Sequence, residues 1–221
     1  MKSLDPGLKE SAFNRPGFTL IEIAIVLIII GIIIGAVVKG KDIIRGAEQK
    51  KVYAKFLNEW QTCYLNFYDR TGKLLGDTFN GAGPGQDGKA DTGAGASATP
   101  TDAGRDALIT GQGGASPAYY GLSQLGLTAP STNTDKSWKY RYSDSTGANH
   151  EVTISYAYDA AGKYNYMMIQ DIPNELAMAM DKLVDGDVDG LKGEFIGDAS
   201  GGLAWGTTPE TGVTARWKMQ F

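Results

Sequence analysis

An uninterrupted apolar segment near the N-terminus constrains this chain more than any other feature. Residues 18–38 read FTLIEIAIVLIIIGIIIGAVV, and Glu22 is the single charged residue among these 21. A helix of this length extends about 31 Å, which matches the hydrocarbon core of a bilayer. A cleaved secretory signal has a shorter apolar core and a small-residue cleavage site after it, and a soluble core helix seldom needs so long a uniform run. We therefore predict a membrane-spanning helix over 18–38.

The composition argues against catalysis and against nucleic-acid binding. The 221 residues include 21 Lys and Arg and 25 Asp and Glu, a net charge of −4, whereas nucleic-acid binding needs clustered cations. Cys63 is the one cysteine and His150 the one histidine, which excludes an intramolecular disulfide and a Cys/His zinc site. The same scarcity weighs against Cys/His or Ser/His/Asp catalysis. We predict a protein that is not an enzyme, with His150 solvated in a turn.

The residues at the start of the apolar segment resemble a known signal. A short polar leader, MKSLDPGLKESAFNRPG, ends in Gly17 and is followed by FTLIE and the apolar run. This arrangement resembles the class III signal peptide of type IV pilins and pseudopilins. The resemblance covers roughly residues 14–50. It implies that a prepilin peptidase cleaves between Gly17 and Phe18 and methylates the new amine of Phe18, leaving 204 residues.

Glu22 would be the fifth residue of the processed chain, where the resemblance implies a glutamate. A carboxylate in lipid or in a packed helical bundle is costly unless it is paired. The new amine of Phe18, four residues away, is one partner within the same chain. The resemblance implies another, in which Glu22 meets the N-terminus of a neighbouring subunit and sets the axial register of a filament. Phe18 and Glu22 are thus the predicted assembly residues.

Two further features of this region leave alternatives open. Residues 39–51 carry five Lys or Arg and the leader carries three, so the positive-inside rule alone would place the C-terminal side in the cytoplasm. The cleavage motif indicates the opposite orientation, and those cations are then available to acids of neighbouring subunits. Gly31 and Gly35 form a G-x-x-x-G pair, which indicates either a close helix contact or a point where the helix stretches or melts.

Residues 39–72 predict an amphipathic continuation of the helix that ends near Arg70 with Gly72 as its stop. Apolar residues recur there at steps of three and four: Ile43, Ile44, Ala47, Tyr53, Phe56, Leu57, Trp60, Tyr64 and Phe67. Large aromatic side chains at this spacing indicate a core under a sheet, and packing alone accounts for the period. Electron transfer along the stripe is the less favoured alternative. Cys63 is predicted to be a small buried hydrophobe on the same helix.

Residues 73–221 predict a globular head. The Gly-rich stretch 76–115 is too poor in apolar residues to form a core and predicts a long, mobile surface loop, with a short helical or turn segment in PAYYGLSQLGL after it. Three strand patterns, WKYRYSD, EVTISYAYD and KYNYMMIQD, predict an antiparallel meander. IPNELAMAMDKLVDG then predicts a helix and TARWKMQF a final strand. The fold class is α+β: a long N-terminal helix, membrane-spanning in its first half, packed against a small antiparallel sheet, as the resemblance also implies.

The sequence DGDVDG is the pattern most suggestive of ligand chemistry. Asp185, Asp187 and Asp189, followed by Gly190, match the first six positions of an EF-hand-type calcium loop. The twelfth position, normally a glutamate, is Ile196. Some pseudopilins hold calcium in a C-terminal loop, and calcium is the one cofactor that we predict. The alternative is a solvated Asp-Gly turn that caps the preceding helix.

These observations and the resemblance predict a structural subunit of a type IV pilus-like filament. The chain would be a single-pass protein of the bacterial inner membrane that then enters an extracellular filament. Its expected partners are other copies of itself, prepilin peptidase and the pilus or secretion assembly machinery, with no nucleic acid. The alternatives are a pseudopilin of a type II secretion system, a minor or tip pilin, and a membrane-anchored binding module or enzyme that never polymerises.

Overall fold

The computed structural model describes residues 17–77, 87–90, 100–111, 120–199 and 202–220. The chain divides into two compact units, Met1–Gly46 and Ala47–Phe221. The leader predicted for residues 1–17 lies outside the described residues except for Gly17, and so do large parts of the Gly-rich stretch 76–115.

Helix α1 covers Leu20–Val52. It is unbroken at Gly31 and Gly35, where a Cβ atom would meet nothing within 4 Å. The helical run Leu20–Thr71 has a mean hydropathy of 3.1 in its most apolar window, and by length and composition it is able to cross a membrane. In lipid, a helix satisfies every backbone hydrogen bond within its own segment. The predicted long N-terminal apolar helix is confirmed.

A π-helical turn, Tyr53–Leu57, follows α1 and leads into helix α2, Asn58–Thr71. Such turns are rare and short, and they are frequent at functional sites. Helix α2 ends at the predicted glycine: Gly72 adopts φ 66°, and its N–H donates to the carbonyl of Tyr68 at 2.7 Å. Glycine is favoured there because it enters the left-handed region without a Cβ penalty.

The described residues form a five-stranded antiparallel sheet with the order β1-β2-β3-β5-β4. The strands are β1 Lys139–Ser143, β2 Asn149–Asp159, β3 Tyr164–Pro173, β4 Phe195–Gly197 and β5 Gly212–Lys218. The predicted meander of the first three strands and the predicted final strand are confirmed. The register of β3 against β5 shifts between Ile169 and Ile172, and Asp171 within this bulge has φ 53°.

The π-helical turn and α2 supply the helical side of the core. Trp60 is fully buried, its indole N–H donates to the carbonyl of Ser137 at 2.9 Å, and its own carbonyl accepts from the hydroxyl of Tyr156 at 2.9 Å. The rings of Tyr64 and Tyr156 lie 5.0 Å apart. The aromatic core predicted for this stripe is confirmed. Its first members are an exception, since Ile43 and Ile44 are 72% and 62% exposed.

Three elements were missed or only partly predicted. Helix α3, Asp102–Thr110, lies inside the stretch predicted as a loop, and the Thr101 hydroxyl caps it by accepting from the N–H of Gly104 at 3.1 Å. Strand β4 is three residues long and pairs with β5 alone, so it leaves no periodic pattern. The predicted segment after the loop contains a 3₁₀ turn, Leu122–Leu125. Helix α4, Asn174–Val184, confirms the predicted second helix of the head.

Candidate processing and assembly site

The predicted cleavage bond lies just ahead of α1, in a segment that is not helical. Residues 17–19 have no regular structure, and α1 begins at Leu20. Gly17 has open space around the position of a Cβ atom, and Phe18 is 85% exposed. Among the residues that the structure describes, neither packing nor space therefore requires glycine at position 17.

Thr19 and Glu22 form a reciprocal cap at the start of α1. The Glu22 carboxylate accepts from the Thr19 backbone N–H at 2.7 Å and from the Thr19 hydroxyl at 2.8 Å. The N–H of Glu22 donates back to the Thr19 Oγ1 atom at 3.3 Å. This is a capping box, which satisfies backbone N–H groups that have no partner within the helix. Sequence reasoning missed it, although its T-x-x-E signature stands in FTLIE.

The apolar side chains that follow this cap are exposed in the described structure. Most of the large apolar side chains between Phe18 and Val38 are 46–92% exposed. So large an apolar surface marks a site of membrane or protein contact. Phe18 and Glu22, the predicted assembly residues, lie at its N-terminal end, and Glu22 is bonded there to Thr19.

The three predicted calcium ligands lie in the loop after α4, where two of them bind backbone N–H groups. The Asp185 carboxylate accepts from Glu194 at 2.9 Å and from Phe195 at 2.8 Å. The Asp189 carboxylate accepts from Leu191 at 2.8 Å and from Lys192 at 3.1 Å. Within the residues that the structure describes, no group of three or more Asp, Glu, His or Cys side chains is placed to hold a metal. The carboxylates as placed do not fit a metal, and calcium binding stays a prediction that needs this loop to rearrange.

Asp181 organises the same loop and was missed by sequence reasoning. Its Oδ2 atom accepts from the N–H groups of Asp189 and Gly190, both at 3.0 Å, and from the indole N–H of Trp205 at 2.6 Å. Burial raises the pKa of this carboxyl above its usual range. Asp181 lies within a helical pattern, one turn before the D-x-D-x-D run, so only the folded loop shows its role.

His150 is not the solvated histidine that the sequence indicated. Its side chain is 11% exposed, and its two ring nitrogens lie 3.2 Å from Asp144 Oδ2 and 3.3 Å from Asp171 Oδ1. The prediction was wrong because the β3 bulge brings Asp171 against the start of β2, a contact between segments 21 residues apart. The hydroxyl of Thr146 is the largest of several hydrogen-bond donors, His150 among them, that lower the pKa of Asp144 to about 2.

Cys63 is the small buried hydrophobe that was predicted. Its thiol donates weakly to the carbonyl of Thr128 at 3.6 Å, and burial raises its pKa to about 11. Because the thiolate is the reactive form of cysteine, this thiol is protonated and inert at neutral pH.

Comparison with known proteins identifies the N-terminal site. A family model of the prokaryotic N-terminal methylation motif matches residues 13–38, which include the predicted cleavage bond, the capping box and the apolar half of α1. Searches of curated proteins and of solved structures found no match to the chain. Residues 13–38 of this chain are therefore a prokaryotic N-terminal methylation motif, the class III signal peptide of type IV pilins and pseudopilins.

Proposed function

We propose that this chain is a structural, non-enzymatic subunit of a type IV pilus-like filament. Prepilin peptidase cleaves it between Gly17 and Phe18 and methylates the Phe18 amine. The subunit waits in the bacterial inner membrane as a single-pass protein, and the pilus assembly machinery then packs its apolar helix against those of other copies. Packing of these helices makes the extracellular filament.

The methylation motif, with its cleavage bond outside the helix, carries this proposal. A peptidase needs a scissile bond that is not held in a helix, and residues 17–19 are not helical. Support for self-association comes from the apolar side chains of residues 18–38, which are exposed in the described structure. In lipid, packing of these helices depends on van der Waals contact, because lipid tails are as apolar as the side chains. Outside the membrane, burial of each large aliphatic side chain in the filament contributes roughly 1.5–3 kcal/mol relative to exposure to water, so the packed helices stay together there.

The motif also suits a pseudopilin of a type II secretion system and a minor or tip pilin. These candidates share the signal and the apolar helix and differ in abundance and location. A pseudopilin stays at the cell envelope, whereas the main subunit of a pilus is abundant in fibres that can be sheared from cells.

The test is intact-mass and N-terminal analysis of the protein from sheared fibres and from the inner membrane. We expect a methylated Phe18 terminus, abundant in the fibres. The same terminus found only in the membrane fraction would replace the proposal with the pseudopilin or minor-subunit role. An uncleaved Met1 terminus in both fractions would contradict processing altogether.

A further inference from the structure

A polar groove with surplus positive charge lies between the C-terminal end of α1, the π-helical turn and strand β1. Two cavities of about 220 and 280 Å³ share Lys51, Asn133 and Tyr140 in their lining and therefore adjoin. Lys55 lines one of them and Arg141 the other. The groove combines these three cations with one acid, Glu48, and with amide and hydroxyl groups. Its charge is net positive, which suits an anionic, hydrogen-bonding ligand.

The cations of this groove are weakly engaged within the chain. Lys51 is exposed and makes no hydrogen bond or ion pair with any residue that the structure describes. The Nζ atom of Lys55 lies 3.7 Å from Glu59, and the Nη2 atom of Arg141 lies 3.6 Å from Glu151, both at exposed positions. Exposed pairs of this kind contribute little, so these cations remain available to an outside carboxylate.

A partner that adds a β-strand fits the groove poorly, because a side chain blocks the middle of the neighbouring sheet edge. The side chain of Asn133 accepts from the N–H of Arg141 at 2.8 Å and donates to its carbonyl at 2.7 Å. It thereby occupies the outward backbone groups of Arg141, the central residue of β1, which an added strand would use. Recognition at this groove must therefore act through side-chain charge.

The charge distribution of the chain itself points to a second copy as the partner. Residues 39–55 contain six Lys or Arg and two acids, a net charge of +4. Residues 56–221 contain twelve Lys or Arg and twenty acids, a net charge of −8. Two copies that contact each other through these unlike regions gain from electrostatic complementarity, whereas contacts between like regions are repelled.

The loop after α4 is the acidic element best prepared for such a contact. The carboxylates of Asp181, Asp185 and Asp189 fix its backbone through the hydrogen bonds described above, so little ordering remains to be done on binding. Asp187 is exposed at the tip and makes no hydrogen bond or ion pair with any described residue. Val188 beside it is 46% exposed and adds an apolar contact.

We propose that Asp187 of one copy docks into the groove of Lys51, Lys55 and Arg141 on the next copy. The two surfaces differ, so the contact is head-to-tail and leaves one free surface at each end. Such contacts generate open chains of subunits unless the rotation between them closes a ring. The inference rests on the proposed filament and adds a second, charge-based contact to the packing of the apolar helices.

Cross-linking within filaments tests this contact directly. In a Cys63→Ala background, cysteines replace Lys51 and Asp187 together, and sheared filaments are oxidised in the presence of EDTA. Each copy then carries both partners, so we expect dimers and a ladder of higher multimers on a non-reducing gel. Asp187→Cys alone should give no ladder, and the pair Asp69→Cys with Asp187→Cys serves as the matched control because Asp69 is an exposed residue outside the groove.

Charge exchange provides the second measurement. Lys51→Glu with Lys55→Glu should lower the filament yield by about threefold or more at low salt, consistent with two weakened exposed pairs. Asp187→Lys in that background should restore the yield. The difference between wild type and variant should shrink at 1 M salt, where the screening length is about 3 Å.

The outcomes separate this inference from the function on which it rests. A ladder together with charge-exchange rescue supports the contact. Normal filaments with no ladder and no effect of charge reversal overturn the contact and leave the filament role intact. A cross-linked product with the mass of a different protein overturns it in favour of another partner. Wild-type cells that make no filaments overturn the proposed function, and this inference falls with it.

Discussion

Glu22 has two separable properties, a cap acceptor and a negative charge, and variants at two positions distinguish them. Glu22→Gln keeps an amide oxygen that can accept from Thr19, because glutamine also serves in a capping box, but it removes the charge. Thr19→Ala removes the cap and keeps the charge. Glu22→Leu removes both. We expect Glu22→Gln and Glu22→Leu to abolish most assembly, whereas Thr19→Ala reduces it only mildly.

The magnitudes follow from what each variant leaves unpaired. Thr19→Ala removes the hydroxyl bonds at 2.8 and 3.3 Å, and loss of such a cap costs about 1 kcal/mol. That corresponds to about a fivefold change in an equilibrium. If Glu22 pairs with a Phe18 amine in the filament core, its removal leaves a buried charge alone at a cost of about 3–5 kcal/mol. A loss of filament yield by about a hundredfold or more is then expected.

The assay compares protein in sheared filaments with protein in the membrane fraction by quantitative immunoblot. N-terminal analysis of the membrane pool first confirms that each variant is still cleaved at Gly17. Tryptophan fluorescence of the detergent-solubilised protein then checks the head, since all four tryptophans lie beyond residue 46. These two controls exclude failed cleavage and a misfolded head as causes, so any remaining loss of filaments reflects the assembly step.

One pattern of results would refute the charge hypothesis. If Glu22→Gln assembled like wild type while Thr19→Ala and Glu22→Leu were equally impaired, Glu22 would act only as a helix cap. Wild-type yields for all three variants would remove both roles.

Three further predictions concern processing, pH and calcium. Gly17→Val should reduce cleavage at least tenfold, read as retained leader mass, and leave the fluorescence of the head unchanged, because no described residue packs against this position; a processed variant would contradict the proposed cleavage site. Asp144→Asn should lower the melting temperature at neutral pH. The pKa of Asp144 is lowered to about 2, so its stabilising effect is complete above its unfolded pKa of about 4 and is lost as the pH falls towards 2. The melting temperatures of wild type and Asp144→Asn should therefore converge near pH 2. A difference between them that does not change with pH would argue against the charged contact. If the loop rearranges to hold calcium, millimolar calcium raises the melting temperature of wild type and not of Asp187→Ala, whereas an equal response of both proteins would exclude this loop as the site.

The sequence predicted those elements in which one local pattern decides the outcome. The strands around Ile154 and Ile169 alternate or run in β-branched and aromatic residues, and the stop at Gly72 follows from the left-handed backbone of a helix end. Helix α3 was missed because glycines surround it and its core contribution comes mainly from Ala107 and Leu108. The acidic loop was read as a ligand pattern, because spacing does not show whether a carboxylate faces a cation or a backbone N–H.

The sequence by itself determined the methylation motif and the long apolar helix, and it contains the T-x-x-E signature of the capping box that was recognised only in the folded helix, because each depends on residues close together in the chain. Only the tertiary structure decided the fate of groups whose partners are distant in the chain. His150 meets Asp171 through the β3 bulge, and Asp181 holds a loop eight residues away together with Trp205. The groove of Lys51 and Arg141 forms because strand β1 lies beside the helix. Hydrogen bonds and charge pairs act over a few ångströms in space, so their partners follow from folding and not from order along the chain.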